Sequence, residues 1–327
     1  MTSSVQTIQH QIEGGSRIAL AKAITLVEST RPDHRHDAEE LLTRLLKRTG
    51  KSLRVAISGP PGVGKSTFIE AVGLHLVRSG KKLAVLAIDP SSPVGGGSIL
   101  GDKTRMEELS KSDHCFIRPS PSSGALGGVA RHTRETILLC EAAGFEVIFV
   151  ETVGIGQSET MAASMTDIFV QLHQPYSGDE LQGIKKGVME LADIVVVTKA
   201  DGDAETMARL AQTDLERAIS LTHNESEDRP SVVCCSARLN HGIAETWDAI
   251  FDRYQSRQKT GRVNKRRQHQ SSEWLKQEIA AALMDILIQH PRYDSLLNET
   301  EHRVETSAEH CGRAARVLVQ TLITQVN

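Results

Sequence analysis

The sequence predicts an α/β fold: a mostly parallel central sheet flanked by helices, with helical extensions at the N- and C-terminal ends. Three observations predict it. From about Leu53, short apolar runs alternate with helical stretches, the pattern of a sheet covered on both faces. The first of those runs leads into a glycine-rich loop that opens directly into a helix. Past about Gly261 the strand pattern stops and only helical periodicity remains. The 327 residues therefore divide into an N-terminal helical extension (1–50), an α/β domain (51–260) and a C-terminal helical arm (261–327).

In the extension, Leu20, Ala23, Ile24 and Val27 recur at helical spacing, and Leu41, Leu42, Leu45 and Leu46 do so again. Pro32 and Asp33 separate the two stretches. The segment is too short to form its own core and is expected to pack on the main body. His34 and His36 have no further ligands nearby and read as solvated loop residues.

The strand candidates are Leu53–Ser58, Leu83–Ile88, Cys115–Arg118, 147–150, 168–172, 194–198 and 232–235. Ligands of such sheets sit at the C-terminal ends of the strands. After the first strand comes Gly59-Pro60-Pro61-Gly62-Val63-Gly64-Lys65-Ser66-Thr67, which fits G-x-x-x-x-G-K-[ST] between a strand and a helix. This is the phosphate loop of a P-loop NTPase. Glycines let backbone N–H groups close around phosphate oxygens, and the helix N-terminus adds its own free N–H groups. Lys65 is placed to reach the β- and γ-phosphates as a catalytic cation, Ser66 to bind Mg²⁺, and Thr67 to lie near the α-phosphate.

The later strand ends carry acids. Asp89, in Ile88-Asp89-Pro90-Ser91-Ser92, can hold Mg²⁺ directly or through water. Asp102 follows the glycine segment Gly95-Gly96-Gly97 as a second metal candidate; a helix N-cap explains it as well. Glu151 ends a strand and leads into Thr152-Val153-Gly154-Ile155-Gly156-Gln157, the position of a Walker-B carboxylate. Gly154 is there placed to sense a γ-phosphate, and the loop to act as a switch. By composition alone, the loop 178–187 with its Lys185 and Lys186 reads as solvated. Thr198-Lys199-Ala200-Asp201 ends another strand. The Asp201 carboxylate can accept from guanine N1–H and N2–H₂, a pair that adenine lacks, while the Lys199 stem lies over the base. After the last strand, Cys235-Ser236-Ala237-Arg238 offers a backbone N–H to guanine O6.

Beyond Gly261, Arg262-Val263-Asn264-Lys265-Arg266-Arg267 reads as a basic, solvated linker. Leu275, Ile279, Leu283, Ile286 and Leu287 form one apolar helix stripe, and Val304, Ala308, Cys311, Ala315, Leu318 and Leu322 another. Such faces need something to cover them; a second copy of the chain is the expected partner, with folding back on the sheet domain as the alternative.

Composition narrows the function classes. Hydrophobic residues make up 39% and charged residues 24%, as in a globular protein. Net charge is −3 and aromatics are 3%, giving no footing for nucleic acid. Five cysteines show no disulfide or zinc spacing, and Cys234-Cys235 reads as small apolar filling of a strand. Residues 1–10 lack the features of an export signal, and no run reaches the ~18 apolar residues of a membrane span. The expectation is a cytoplasmic protein.

Several of these segments together resemble the MeaB/ArgK GTPases. The likeness rests on Asp89-Pro90-Ser91-Ser92-Pro93, Gly101-Asp102-Lys103-Thr104-Arg105-Met106, Glu151-Thr152-Val153-Gly154, Gln157-Ser158-Glu159 and Leu181-Gln182-Gly183-Ile184-Lys185-Lys186-Gly187. Ala23-Ile24-Thr25-Leu26-Val27-Glu28-Ser29 adds an N-terminal helix of the same kind. The resemblance implies a dimeric G protein that binds GTP and GDP and hydrolyses GTP slowly with Mg²⁺. It implies a chaperone of an adenosylcobalamin-dependent acyl-CoA mutase, chiefly methylmalonyl-CoA mutase, gating cofactor delivery and protecting or reactivating the enzyme. By motif, Ser66, Asp89, Asp102 and Glu151 serve Mg²⁺ and its waters. The segment from about Gln174 to Lys185 matches a client-facing switch, with Lys185 implicated in stimulated hydrolysis, which replaces the bland reading of that loop. Two departures stand out: Thr198 where the guanine motif usually has Asn, and Gln171-Leu172-His173-Gln174-Pro175-Tyr176-Ser177 where small residues and glycines are usual. The alternatives are a kinase or ATPase tied to amino-acid transport, for which no separate acceptor pocket is visible, and a metallochaperone, for which no Cys/His cluster is visible.

Overall fold

A computed structural model describes residues 4–29, 31–88, 106–118, 126–152, 157–175, 190–222 and 229–324. The chain divides into two compact units, Met1–Asn264 and Lys265–Asn327.

The first unit is built on a seven-stranded parallel sheet: β1 (Leu53–Ser58), β2 (Leu83–Ile88), β3 (Cys115–Arg118), β4 (Val147–Thr152), β5 (Ile168–His173), β6 (Ile194–Val197) and β7 (Ser231–Cys234). Their spatial order is β3-β2-β4-β1-β5-β6-β7. Near-continuous apolar runs form these strands because helices cover both faces. Alternate side chains then divide between two cores: Val55 and Ile57 enter one, and Ala56 enters the other. β1 lies between β4 and β5, so Ile57 aligns with Glu151 and Ser58 with Gln171. The chain's direction of winding reverses at β1, which opens a crevice at its C-terminal end.

The N-terminal extension supplies α1 (Ser4–Glu13), α2 (Arg17–Val27) and α3 (Pro32–Leu45). Ser16 caps α2, accepting from the Ala19 N–H at 3.3 Å. Pro32 opens α3 at a position where its missing N–H has no helical partner to lose. His34 and His36 consequently lie on a helix, and not in a loop as expected. Along the G-x-x-x-x-G-K-[ST] loop follows α4 (Lys65–Arg78); then come α5 (Glu107–Ser110), α6 (Leu126–Ala142), α7 (Gln157–Ala163), α8 (Glu205–Thr222) and α9 (Ile243–Lys259). One face of the sheet packs on α6 and the extension: Ile12, Leu20, Ile24 and Leu41 are fully buried in a core with Ala56, Ile148 and Phe169. Each such side chain contributes about 1.5–3 kcal/mol, so the extension is a layer of the domain. The other face packs on α4 and α9 through Phe68, Ile69, Val72, Ile250 and Tyr254.

The second unit differs from expectation in two ways. The basic run Arg262 to Arg267 is no linker; it forms the first turns of α10 (Arg262–Ile288). Arginine, lysine and glutamine are good helix formers, and no glycine or proline interrupts the stretch. The second stripe is also divided between two helices, α11 (Tyr293–Glu305) and α12 (Cys311–Thr324), with Ser307 at φ 55 between them. Ala314 and Leu322 are buried, whereas Leu275, Ile279, Leu283 and Ile286 are all more than half exposed.

Candidate functional site

The loop from Gly59 to Gly64 leaves the C-terminal end of β1 in the crevice between β4 and β5. A Cβ on Gly59 would lie 2.9 Å from the Leu172 carbonyl oxygen, so only glycine lets the loop pass this close to β5. Gly64 takes a left-handed conformation (φ 94, ψ 32) as the residue before α4, which glycine adopts without steric cost. Pro60, Pro61 and Gly62 form the crest, where the Val63 N–H donates to the Pro60 carbonyl at 3.3 Å. Val63 itself is fully buried as the anchor. The loop thus presents its backbone at a helix N-terminus, an anion site by construction.

Lys65 starts α4 and curls back, donating to the Gly59 carbonyl at 2.7 Å and the Pro60 carbonyl at 3.2 Å. Burial pushes its ammonium below the ordinary lysine range, and the carboxylates of Glu151 and Glu159 counter part of that shift. Ser66, next on the helix, donates from Oγ to Glu151 Oε1 at 3.4 Å. A hydroxyl and a carboxylate converging beside the phosphate loop are the hard oxygen donors that suit Mg²⁺. Thr67 is exposed on the same turn. Asp89, Asp102, Gly154 and Lys185 lie outside the described residues.

The base side forms at the ends of β6 and β7. Lys199 has φ 55, and its Nζ donates to the Gly62 carbonyl at 2.7 Å. Its stem therefore crosses from the end of β6 to the phosphate loop. The Ser236 hydroxyl donates to Asp201 Oδ2, and the Leu239 N–H donates to Ser236 Oγ at 3.2 Å. Ser236 and His241 exchange backbone hydrogen bonds of 2.8 and 3.0 Å. The turn carrying Ala237 and exposed Arg238 is thereby closed beside Asp201. Structure thus brings together Gly59 to Thr67, Glu151, Lys199, Asp201 and Ser236 to Arg238.

Sequence reasoning missed three residues. Thr198, flagged only as a departure from Asn, places its hydroxyl 2.8 Å from the Val63 carbonyl and 3.1 Å from the His173 carbonyl, donating to one of them. It hooks the base strand onto the phosphate loop. Ser58 and Thr152, the last residues of β1 and β4, are fully buried and bonded side chain to side chain at 2.9 Å. A polar residue at the end of an otherwise apolar run is the signal that could have found them.

The chain matches, over residues 20–292, the family described as methylmalonyl-CoA mutase-associated GTPase MeaB. This chain belongs to the MeaB family. It is 50% identical over 318 residues to a probable GTPase of Mycobacterium tuberculosis, covering 97% of this chain and 95% of that one. It is 44% identical to the GTPase ArgK of Escherichia coli, covering 96% of each. The mouse methylmalonic aciduria type A homolog, a mitochondrial protein, is 46% identical, with 94% of this chain and 76% of the mouse protein covered. A crystal structure titled LAO/AO transport system kinase superposes with a TM-score of 0.76 at 36% identity, covering 98% of this chain and 99% of that one. This MeaB-family protein is a P-loop GTP hydrolase, and guanine nucleotide is its ligand class. Among the described residues, no helix is long and apolar enough to cross a membrane.

Proposed function

We propose that this GTPase is a nucleotide-switched chaperone of an adenosylcobalamin-dependent acyl-CoA mutase, with methylmalonyl-CoA mutase as the first client to test. The observation that carries the reading is the family match itself, since the family is described by its association with that mutase and the match spans residues 20–292. The name of the mouse relative supports it.

At the site, the loop Gly59 to Thr67 holds the phosphates and Lys65 moves from the Gly59 and Pro60 carbonyls to the β- and γ-phosphates. The Asp201 carboxylate takes the guanine edge, oriented by the Ser236 hydroxyl, with Lys199 along the base and Ala237 and Arg238 on its O6 side. Ser66 and Glu151, joined by Asp89 and Asp102, would hold Mg²⁺, which would supply positive charge to offset that of the phosphates. Glu151 acts beside it on the attacking water, and Lys185 answers the client. The exposed stripe Leu275, Ile279, Leu283 and Ile286 is the face expected to pair two copies, making residues 261–327 a dimerisation arm. Five free thiols, three of them buried, suit a reducing cytoplasm. A pull-down of the purified mutase in GTP, GDP and no nucleotide tests the reading: binding that depends on nucleotide is expected, and no binding in any state removes the mutase as client.

A further inference from the structure

The C-terminal ends of β1 and β4 are joined to α7 by one carboxylate. Ser58, the residue before Gly59, donates from Oγ to Glu159 Oε1 at 2.8 Å, and accepts from Thr152 Oγ1 at 2.9 Å. Ser58 and Thr152 are fully buried and Glu159 is 4% exposed. The chain of bonds therefore runs Thr152 to Ser58 to Glu159, from the residue after Glu151, through the residue before the phosphate loop, into the helix.

Anchoring α7 does not require this acid. Ala162 is fully buried on the same helix, and Met161 and Ala163 nearly so, all in the core of that face. A carboxylate costs several kcal/mol to bury, so an apolar residue in its place would hold the helix better. Glu159 also lies close enough to Lys65 to act on its charge. What the acid adds is orientation: by accepting the Ser58 proton it leaves the Ser58 oxygen to accept from Thr152, the bond that ties the strand carrying the phosphate loop to the strand carrying Glu151. Hydrolysis needs those two groups held to within about 1 Å of their productive relative placement.

We propose that Glu159 is a positioning residue for GTP hydrolysis, fixing the phosphate-loop end of β1 against the Glu151 end of β4 through its hydrogen bond from Ser58. This rests on the GTPase assignment and is independent of the mutase reading. The test uses the full chain without any mutase. Single-turnover GTP hydrolysis, Kd for a fluorescent GTP analogue and Tm are measured for the wild type, E159A, E159Q, S58A and S58A/E159A. E159A and S58A are expected to slow hydrolysis of bound GTP about tenfold with Kd changed less than threefold. The double variant should be no slower than the slower single, because both break one link. E159Q keeps an acceptor for Ser58 and should return to within threefold of the wild type. The proposal is overturned by rates in E159A and S58A that stay within twofold of wild type or rise above it, by losses that multiply in the double variant, or by E159Q as slow as E159A. A fall in Tm alone, with hydrolysis unchanged, would leave Glu159 a structural staple and likewise overturn it. Should E159A fail to fold, S58A and E159Q decide the matter.

Discussion

The two ends of the sheet are built on opposite principles. At the N-terminal ends of the strands, buried charge is fully paired. Arg54 grips Glu141 in a bidentate pair of 2.9 and 2.8 Å, and Glu141 also accepts from the Gly50 N–H at 2.7 Å. Asp167 accepts from the Arg54 N–H at 2.9 Å, and Asp193 accepts from the Phe169 N–H at 2.8 Å while pairing with Arg257 at 2.5 Å. At the C-terminal ends, groups are left wanting. Lys65 is desolvated, Lys199 is left-handed, and the buried Gln171 Oε1 and His173 Nε2 have no hydrogen-bond partner among the described residues. Orphaned polar groups and strained backbone gather where a protein works, and are stabilised from elsewhere. Here one end of the sheet holds the fold while the other end carries the candidate nucleotide site.

Breaking the stapled end should give the largest effect. Glu141→Ala leaves the Arg54 guanidinium buried without its partner, a loss of about 3–5 kcal/mol. Urea unfolding checks it, and hydrolysis per folded molecule should stay as it was. A large drop in catalysis with intact stability would erase the division between the ends. Lys65→Ala is the mirror experiment. It should cut GTP hydrolysis by about 100- to 1,000-fold while lowering stability less than Glu141→Ala does, since among the described residues the Lys65 ammonium donates to the Gly59 and Pro60 loop carbonyls, which water can serve.

His173 sharpens the comparison through pH. Burial holds its imidazole neutral, with a pKa of about 4 against the ordinary ~6.5. Between those values the unfolded chain carries a proton that the native chain does not. Its contribution is therefore complete above pH 6.5 and is lost as pH falls toward 4, up to about 3 kcal/mol in all. His173→Leu should flatten this part of the stability profile without lowering stability at pH 7; an unchanged slope would place the acid sensitivity elsewhere. The smallest expected effect is on specificity. Asp201→Asn should reduce the preference for GTP over ATP by about tenfold or more, because each unpaired buried hydrogen bond is worth about 1–3 kcal/mol. Competition binding with both nucleotides measures it.

Much of the working end was legible because its signals are local. The phosphate loop is nine consecutive residues, and the strands announce themselves as apolar runs, so β1, β2 and β3 fall where the sequence put them. Asp201 and Ser236 could be paired in advance because each ends a strand of the same parallel sheet. The stapled end was not legible. Arg54 and Glu141 are 87 residues apart, and nothing near either one names the other. Thr198 reads as a motif departure until the Val63 carbonyl, 135 positions away, appears beside it. The helix at Arg262 was misread for a different reason: it carries no apolar stripe there, and periodicity cannot register a helix that buries almost nothing.

The central claim is that the nucleotide end of the sheet drives a switch read by a mutase. GTP turnover by the purified chain, measured alone and with purified adenosylcobalamin-dependent methylmalonyl-CoA mutase, tests it most directly. The account predicts slow hydrolysis alone and a clear rise with the mutase, abolished in Lys65→Ala. Turnover that is identical with and without the mutase, in a preparation that hydrolyses GTP normally, would contradict it.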